Sequence, residues 1–123
     1  MITFDHFWLE DGTPIYQQIL LYIKRGIIAG SIVSGDELPS RRVMSALLGI
    51  NPNTVQKAYR MLEEEGLITS HSGAKSYVDV TEEKIQQISK ELLQNDAKSI
   101  VTTMKQMGLT KEEARQLISE NWN

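Results

Sequence analysis

Residues 51–60 read "NPNTVQKAYR". Asn51 suits a helix cap, and Pro52 suits the first helical position, where a missing N–H costs nothing. Val55, Ala58 and Tyr59, with Leu62 beyond them, recur three or four residues apart and form one apolar face. Asn53, Thr54, Gln56 and Lys57 fall outside that face. The helix therefore opens with a turn of short or flexible donors and acceptors that its own core does not use. Either this is an ordinary solvated face or it is presented to a partner.

Upstream, Ser40 begins another helix, with Val43, Met44, Leu47 and Leu48 as its expected buried stripe and Gly49 as its left-handed stop. Only Gly49, Ile50 and Asn51 separate the two helices, which is a helix-turn-helix spacing. Ala46 and Ala58 are small enough to sit at a helix crossing. Further upstream, Thr13 is expected to cap a helix starting at Pro14, with Tyr16, Ile19, Leu20, Ile23 and Ile27 as its stripe and an end near Gly30. "SIVSGDELP" then reads as a loop.

Downstream, Gly66 stops the helix and the period changes. Residues 67–71 and 76–80 predict two short strands joined through Ser72, Gly73, Ala74 and Lys75. A hairpin in that place makes the motif a winged one. Thr81 caps a long helix reaching about Met107, with Asn95 and Asp96 as a place where it bends or breaks. Gly108 ends it, and Thr110 with Glu113 forms a capping box for a last helix bearing Ala114, Leu117 and Ile118. The expected fold class is mainly α with a small β-hairpin: a winged helix-turn-helix over residues 10–80, then a helical dimerisation or effector-response tail over 81–123.

The 123 residues suffice for one compact domain of ordinary size and a small appendage. With no cysteine, disulfides and cysteine-rich zinc sites are excluded. No apolar run approaches the ~20 residues that span a bilayer, and "MITFDHFWLEDG" is too acidic and interrupted for a signal peptide, so a cytoplasmic protein without membrane contact is expected. With two histidines, and no phosphate loop, nucleophilic triad or metal-ligand spacing, neither an enzyme nor a cofactor is expected.

The formal charge is −3, yet residues 39–62 carry Arg41, Arg42, Lys57 and Arg60 and no acid, so +4 sits there and −7 elsewhere. Screening limits distant charge to about 8 Å at physiological salt, so a local basic surface still binds phosphate. Amide side chains pair with adenine edges, and a threonine methyl touches that of thymine. Asn51, Asn53, Thr54, Gln56 and Lys57 are therefore candidates for reading duplex DNA from a major groove. Asn51 has a competing use, since capping claims the same oxygen. Ser40, Arg41 and Arg42, at the start of the preceding helix, are candidates for phosphates, as are the backbone N–H groups there. Ser72, Gly73 and Lys75 are wing-tip candidates, with His71 and Ser76 beside them. Tyr59 reads as core. A winged module used for protein or RNA contacts is the competing reading.

"PIYQQI", "GSIVSGDELPSRR", "LGINPNTVQKAYRMLEEEGLI" and "SGAKSYV" occur in order over residues 14–78. They resemble the winged helix-turn-helix of the GntR family, and "NPNTVQKAYR" with the short helical tail resembles its YtrA subfamily. The resemblance implies a bacterial transcription regulator, a repressor binding a two-fold symmetric operator as a homodimer. Relatives of the subfamily often sit beside transporter genes. The family's "LPSxR" arginine falls on Arg42, its recognition contacts on Asn51, Asn53, Thr54 and Gln56, and its wing contact around Ser72 and Gly73. Lys75 replaces the second glycine of the usual wing, and Pro52 stands where some relatives have an arginine.

The resemblance also makes the tail a dimerisation element, for which Ile85, Ile88, Leu92, Ile100 and Met104 offer an apolar stripe. Packing against the chain's own winged module is the alternative. A small effector remains an open partner: Phe4, Phe7, Trp8 and Trp122 are aromatics that either cover a pocket or complete the core or the seam.

Overall fold

The computed structural model describes residues 1–71 and 75–123. The elements in order are α1 (Ile15–Ala29), β1 (Glu37–Leu38), α2 (Arg41–Leu48), α3 (Pro52–Glu64), β2 (Ile68–His71), β3 (Lys75–Val78), α4 (Glu82–Gln106) and α5 (Lys111–Asn121). The chain divides into two compact units, Met1–Ile88 and Ser89–Asn123, with the division inside α4.

In the first unit α1 buries Ile19, Leu20, Ile23 and Ile27, and α3 buries Val55, Ala58, Tyr59 and Leu62, all at a helical period. Met44, Leu67, Ile68 and Val78 complete the same core with Leu38 and Ile88. The predicted start of α1 shifts by one position. Pro14 is the N-cap, and no side chain caps the helix. Gln18 ties down the approach instead: its Nε2 donates to the carbonyls of Glu10 (2.9 Å) and Thr13 (2.8 Å), and its Oε1 accepts from the Glu10 N–H.

The sheet has three antiparallel strands in the order β1-β3-β2. The β2–β3 hairpin pairs Ile68 with Val78 and Ser70 with Ser76. β1 is an addition to the expected pair of strands. It occupies the free edge of β3, with Glu37 opposite Tyr77 and Leu38 opposite Ser76. The N-terminal segment adds one more bond, from Ile2 N–H to the Glu37 carbonyl at 2.8 Å, without forming a strand.

Between α1 and β1 the chain doubles back over Gly26, whose carbonyl accepts from both Ser31 and Ile32 N–H. This sets Ile32 against the glycine: a Cβ there would stand 2.4 Å from Ile32 Cδ1 and 2.7 Å from Cγ1. Overpacking of that kind costs about 1–3 kcal/mol, while the better helix propensity of alanine returns about 1 kcal/mol. Gly26→Ala is therefore expected to destabilise on balance, read as a lower urea midpoint at unchanged slope. A raised midpoint would show that Ile32 yields freely.

α4 starts as expected, with Lys84 N–H donating to Thr81 Oγ1 at 3.1 Å. It continues through Asn95 and Asp96 unbroken. In the second unit, Gly108 takes a φ of +78° between α4 and α5. The Thr110 hydroxyl accepts from Glu113 N–H, and the Glu113 carboxylate accepts from Thr110 N–H. These bonds hold the Glu113 carboxyl below the usual glutamate range. Among the described residues, no helix is long and apolar enough to cross a membrane.

Candidate nucleic-acid interface

The turn between α2 and α3 is built from local bonds. Ser40 caps α2 by accepting from Val43 N–H at 3.2 Å. Gly49 takes φ +64°, ψ +38°, a left-handed conformation that glycine adopts without strain. Ser45 then pins the turn, its hydroxyl donating to the Ile50 carbonyl at 2.6 Å and its carbonyl accepting from Ile50 N–H. Asn51 Oδ1 accepts from Asn53 N–H at 2.8 Å, so the cap holds that oxygen and leaves the exposed amide nitrogen outward.

From this start α3 divides into two faces. Val55, Ala58, Tyr59 and Leu62 are 0% exposed. Asn53, Gln56 and Lys57 are exposed, and Thr54 is half-buried beside them. The side chains of Asn53 and Gln56 make no hydrogen bond among the described residues. Tyr59 is core, as expected. Its hydroxyl donates to the Pro39 carbonyl at 2.6 Å, and burial pushes its ionisation well above the usual range despite the opposing pull of Arg41. The phenol is therefore a permanent donor that locks the "LP" corner to α3.

The basic residues separate by role. Arg42 is exposed at the start of α2. Arg41, expected beside it as a phosphate ligand, is turned inward: its Nη2 donates to Glu63 Oε1 at 3.1 Å, and its guanidinium lies 5.1 Å above the Tyr59 ring. One helical step is 100°, enough to send two adjacent arginines to different surroundings. Lys57 rests its ammonium 4.0 Å from the Tyr16 ring, so its stem follows α1. Arg60 is 3.8 Å from Glu64 on the exposed helix surface.

The stripe expected on α2 is narrower than its apolar residues suggest. Met44 is fully buried and Leu48 half-buried, but Val43 and Leu47 are 47% and 66% exposed, and Ala46 is also exposed. The side of α2 that bonds to α3 and its entry turn is the Arg41 and Ser45 side, and the Val43 and Leu47 flank points away from it. Of the two alanines, only Ala58 lies in the packed interior.

In the wing, Lys75 opens β3 and is exposed, opposite His71. The His71 ring meets Tyr77 edge-on at 5.4 Å. Ser76 is 1% exposed, so it is a core residue. Ser72 and Gly73 lie outside the described residues. Among the tail candidates, Ile88 is in the core of the first unit, and Ile85 is half-buried against that core. Leu92 and Met104 are half-buried, and Ile100 is exposed together with Leu93, Val101, Leu117 and Ile118. Of the terminal aromatics, Phe4 and Phe7 pack on Tyr22, while Trp8 is exposed beside a groove of about 910 Å³ along α1.

Sequence reasoning missed Glu63 and Ser70, and took Ser76 for a wing contact rather than a buried one. Glu63 Oε1 accepts from Ser70 Oγ as well as from Arg41, and Ser70 Oγ lies 3.0 Å from Ser76 Oγ. The only hint in the sequence was a pair of serines at matching positions in the two wing strands.

The family model described as "Bacterial regulatory proteins, gntR family" matches residues 15–78. The HTH-type transcriptional regulator YhcF of Bacillus subtilis (strain 168) is 32% identical over 104 residues, covering 85% of this chain and 86% of that protein. The HTH-type transcriptional repressor YtrA of the same organism is 42% identical over 69 residues, covering 56% of this chain and 53% of its own. A solved structure, the GntR family transcriptional regulator from Listeria monocytogenes, superposes with a TM-score of 0.77 at 30% identity, over 91% of this chain and 98% of that one.

Proposed function

Because the chain belongs to the GntR family of bacterial regulatory proteins, YtrA type, we propose that this DNA-binding transcription regulator is a repressor that docks as a homodimer on a two-fold symmetric operator. The observation that carries the reading is the exposed, polar first turn of α3, whose Asn53 and Gln56 are not spent on internal bonds. Residues 10–80 provide the reading head. Asn51, Asn53, Thr54 and Gln56 face base edges. Arg42, the capped N-terminus at Ser40 and the wing residue Lys75 take phosphates. Two heads reach half-sites about 34 Å apart, one helical turn. Residues 81–123 hold the pair together, through Leu92, Ile100 and Met104 and the exposed Leu93 and Val101 on the same helix. The repressor direction follows the relative that bears that name. A transporter-type operon is the proposed target, and the nucleoid the proposed place of work.

The test is selection of genomic fragments by the purified protein, then a salt titration on the best fragment. A palindromic site bound by a dimer is expected. Arg42→Ala should weaken binding on every sequence and reduce the salt slope by about one. No enriched fragment, or binding that salt leaves untouched, would favour a winged module for protein contacts.

A further inference from the structure

We infer that Glu63 is a positioning residue for DNA recognition: its carboxylate fixes the angle between the wing and α3 by tying β2 to the start of α2. The inference rests on the DNA-binding reading and adds to it a residue that touches no DNA.

Glu63 lies in the last turn of α3. One of its oxygens accepts from Arg41 Nη2 and from Ser70 Oγ, so a single atom joins α2 and β2 on α3. Ser70 passes the tie across the hairpin, because its hydroxyl meets that of the buried Ser76 directly opposite in register. The Arg41 side chain is 24% exposed and that of Glu63 36%, so the pair is partly withdrawn from water. Arg41 Nε is buried with no hydrogen-bond partner among the described residues. The guanidinium is therefore held where it is by Glu63 and by the face of Tyr59, not by full satisfaction of its donors.

A hairpin of two four-residue strands is marginal alone, so its direction depends on what its strands are fixed to. The tie falls at Ser70, one residue short of the end of β2, where it resists a swing of the hairpin about its Ile68–Val78 base. Over four residues at about 3.3 Å each, a swing of about 10° moves the far end of the strands by about 2 Å. That displacement takes a phosphate contact from 2.9 Å to beyond hydrogen-bonding range. A side-chain tie at Ser70, near the far end of β2, thus restrains the outer part of the wing, while α3 stays seated by its own buried face.

The experiment is hydroxyl-radical footprinting on the selected operator with wild type, Glu63→Gln, Ser70→Ala and Ser70→Thr, alongside Kd by titration. Ser70 is exposed, so truncating it opens no cavity, and beyond the tie to Glu63 its one cost inside the protein is the bond to the Ser76 hydroxyl. The expected result is lost protection on the flank contacted by the wing, retained protection under α3, and a Kd raised about fivefold for the first two variants. Ser70→Thr keeps the hydroxyl and should restore both. An unchanged footprint in Ser70→Ala, protection fading evenly across the site, or no flank protection in the wild type would each overturn the inference. A wild-type protein that binds no duplex at all would instead remove the DNA reading beneath it.

Discussion

Tyr59→Ala is expected to cost the first unit about 3–5 kcal/mol, as for other aromatic truncations in packed interiors. Whole domains have only about 5–15 kcal/mol to lose, so a large share of the stability goes with it. Three observations place the effect at this residue. The ring is 0% exposed and packs among Val55, Ala58, Leu62 and Met44 in one cluster. Its hydroxyl bond to the Pro39 carbonyl is lost, which leaves a buried acceptor unpaired. The Arg41 guanidinium loses the aromatic face below it while its Nε already lacks a partner. Urea denaturation followed by circular dichroism measures the loss. Tyr59→Phe separates the contributions: it keeps the ring and removes only the hydroxyl, so about 1–2 kcal/mol should disappear. If Tyr59→Phe were as damaging as Tyr59→Ala, the corner bond and not the packed ring would be the main support.

The second large effect is on recognition. Asn53→Ala with Gln56→Ala should weaken operator binding by about 100-fold, taking about 1–3 kcal/mol for each well-placed base contact. Non-specific binding should stay close to wild type, and so should the salt slope, because neither side chain is charged. Stability should move by no more than about 0.5 kcal/mol, since both residues are exposed and unbonded. Competition titration with operator and random duplex gives the two affinities directly. Equal losses on both duplexes would show that the first turn of α3 binds without reading.

Much of the fold was legible because its signals are local. Ser40, Asn51, Thr81 and Thr110 cap the helices predicted from them, and Gly49 takes the left-handed turn its position demands. The buried face of α3 follows from spacing alone. What escaped depends on neighbours that sequence does not display. β1 is two residues long, with no alternation to see, and its partner lies some 40 positions later. Val43 and Leu47 have the right spacing for burial, but among the described residues no element covers that flank of α2. Arg41 and Arg42 are chemically identical neighbours, and only the tertiary position of Glu63 tells them apart. Ile85 and Ile88 continue the periodicity of the tail, yet the first unit claims them for its own core. The readable part of the site was its polar turn; the hidden part was the tie between Glu63 and the wing.

The two faces of α3 share no residue. Val55, Ala58, Tyr59 and Leu62 answer to the core, whereas the side chains of Asn53 and Gln56 make no hydrogen bond among the described residues. Selection on one set is therefore nearly independent of selection on the other, because exposed and unbonded positions change at little cost to stability. On the DNA reading proposed above, one copy can drift at Asn53 and Gln56 after a gene duplication toward a new operator without first acquiring compensating mutations. On that reading, divergence of regulatory address is decoupled from divergence of fold.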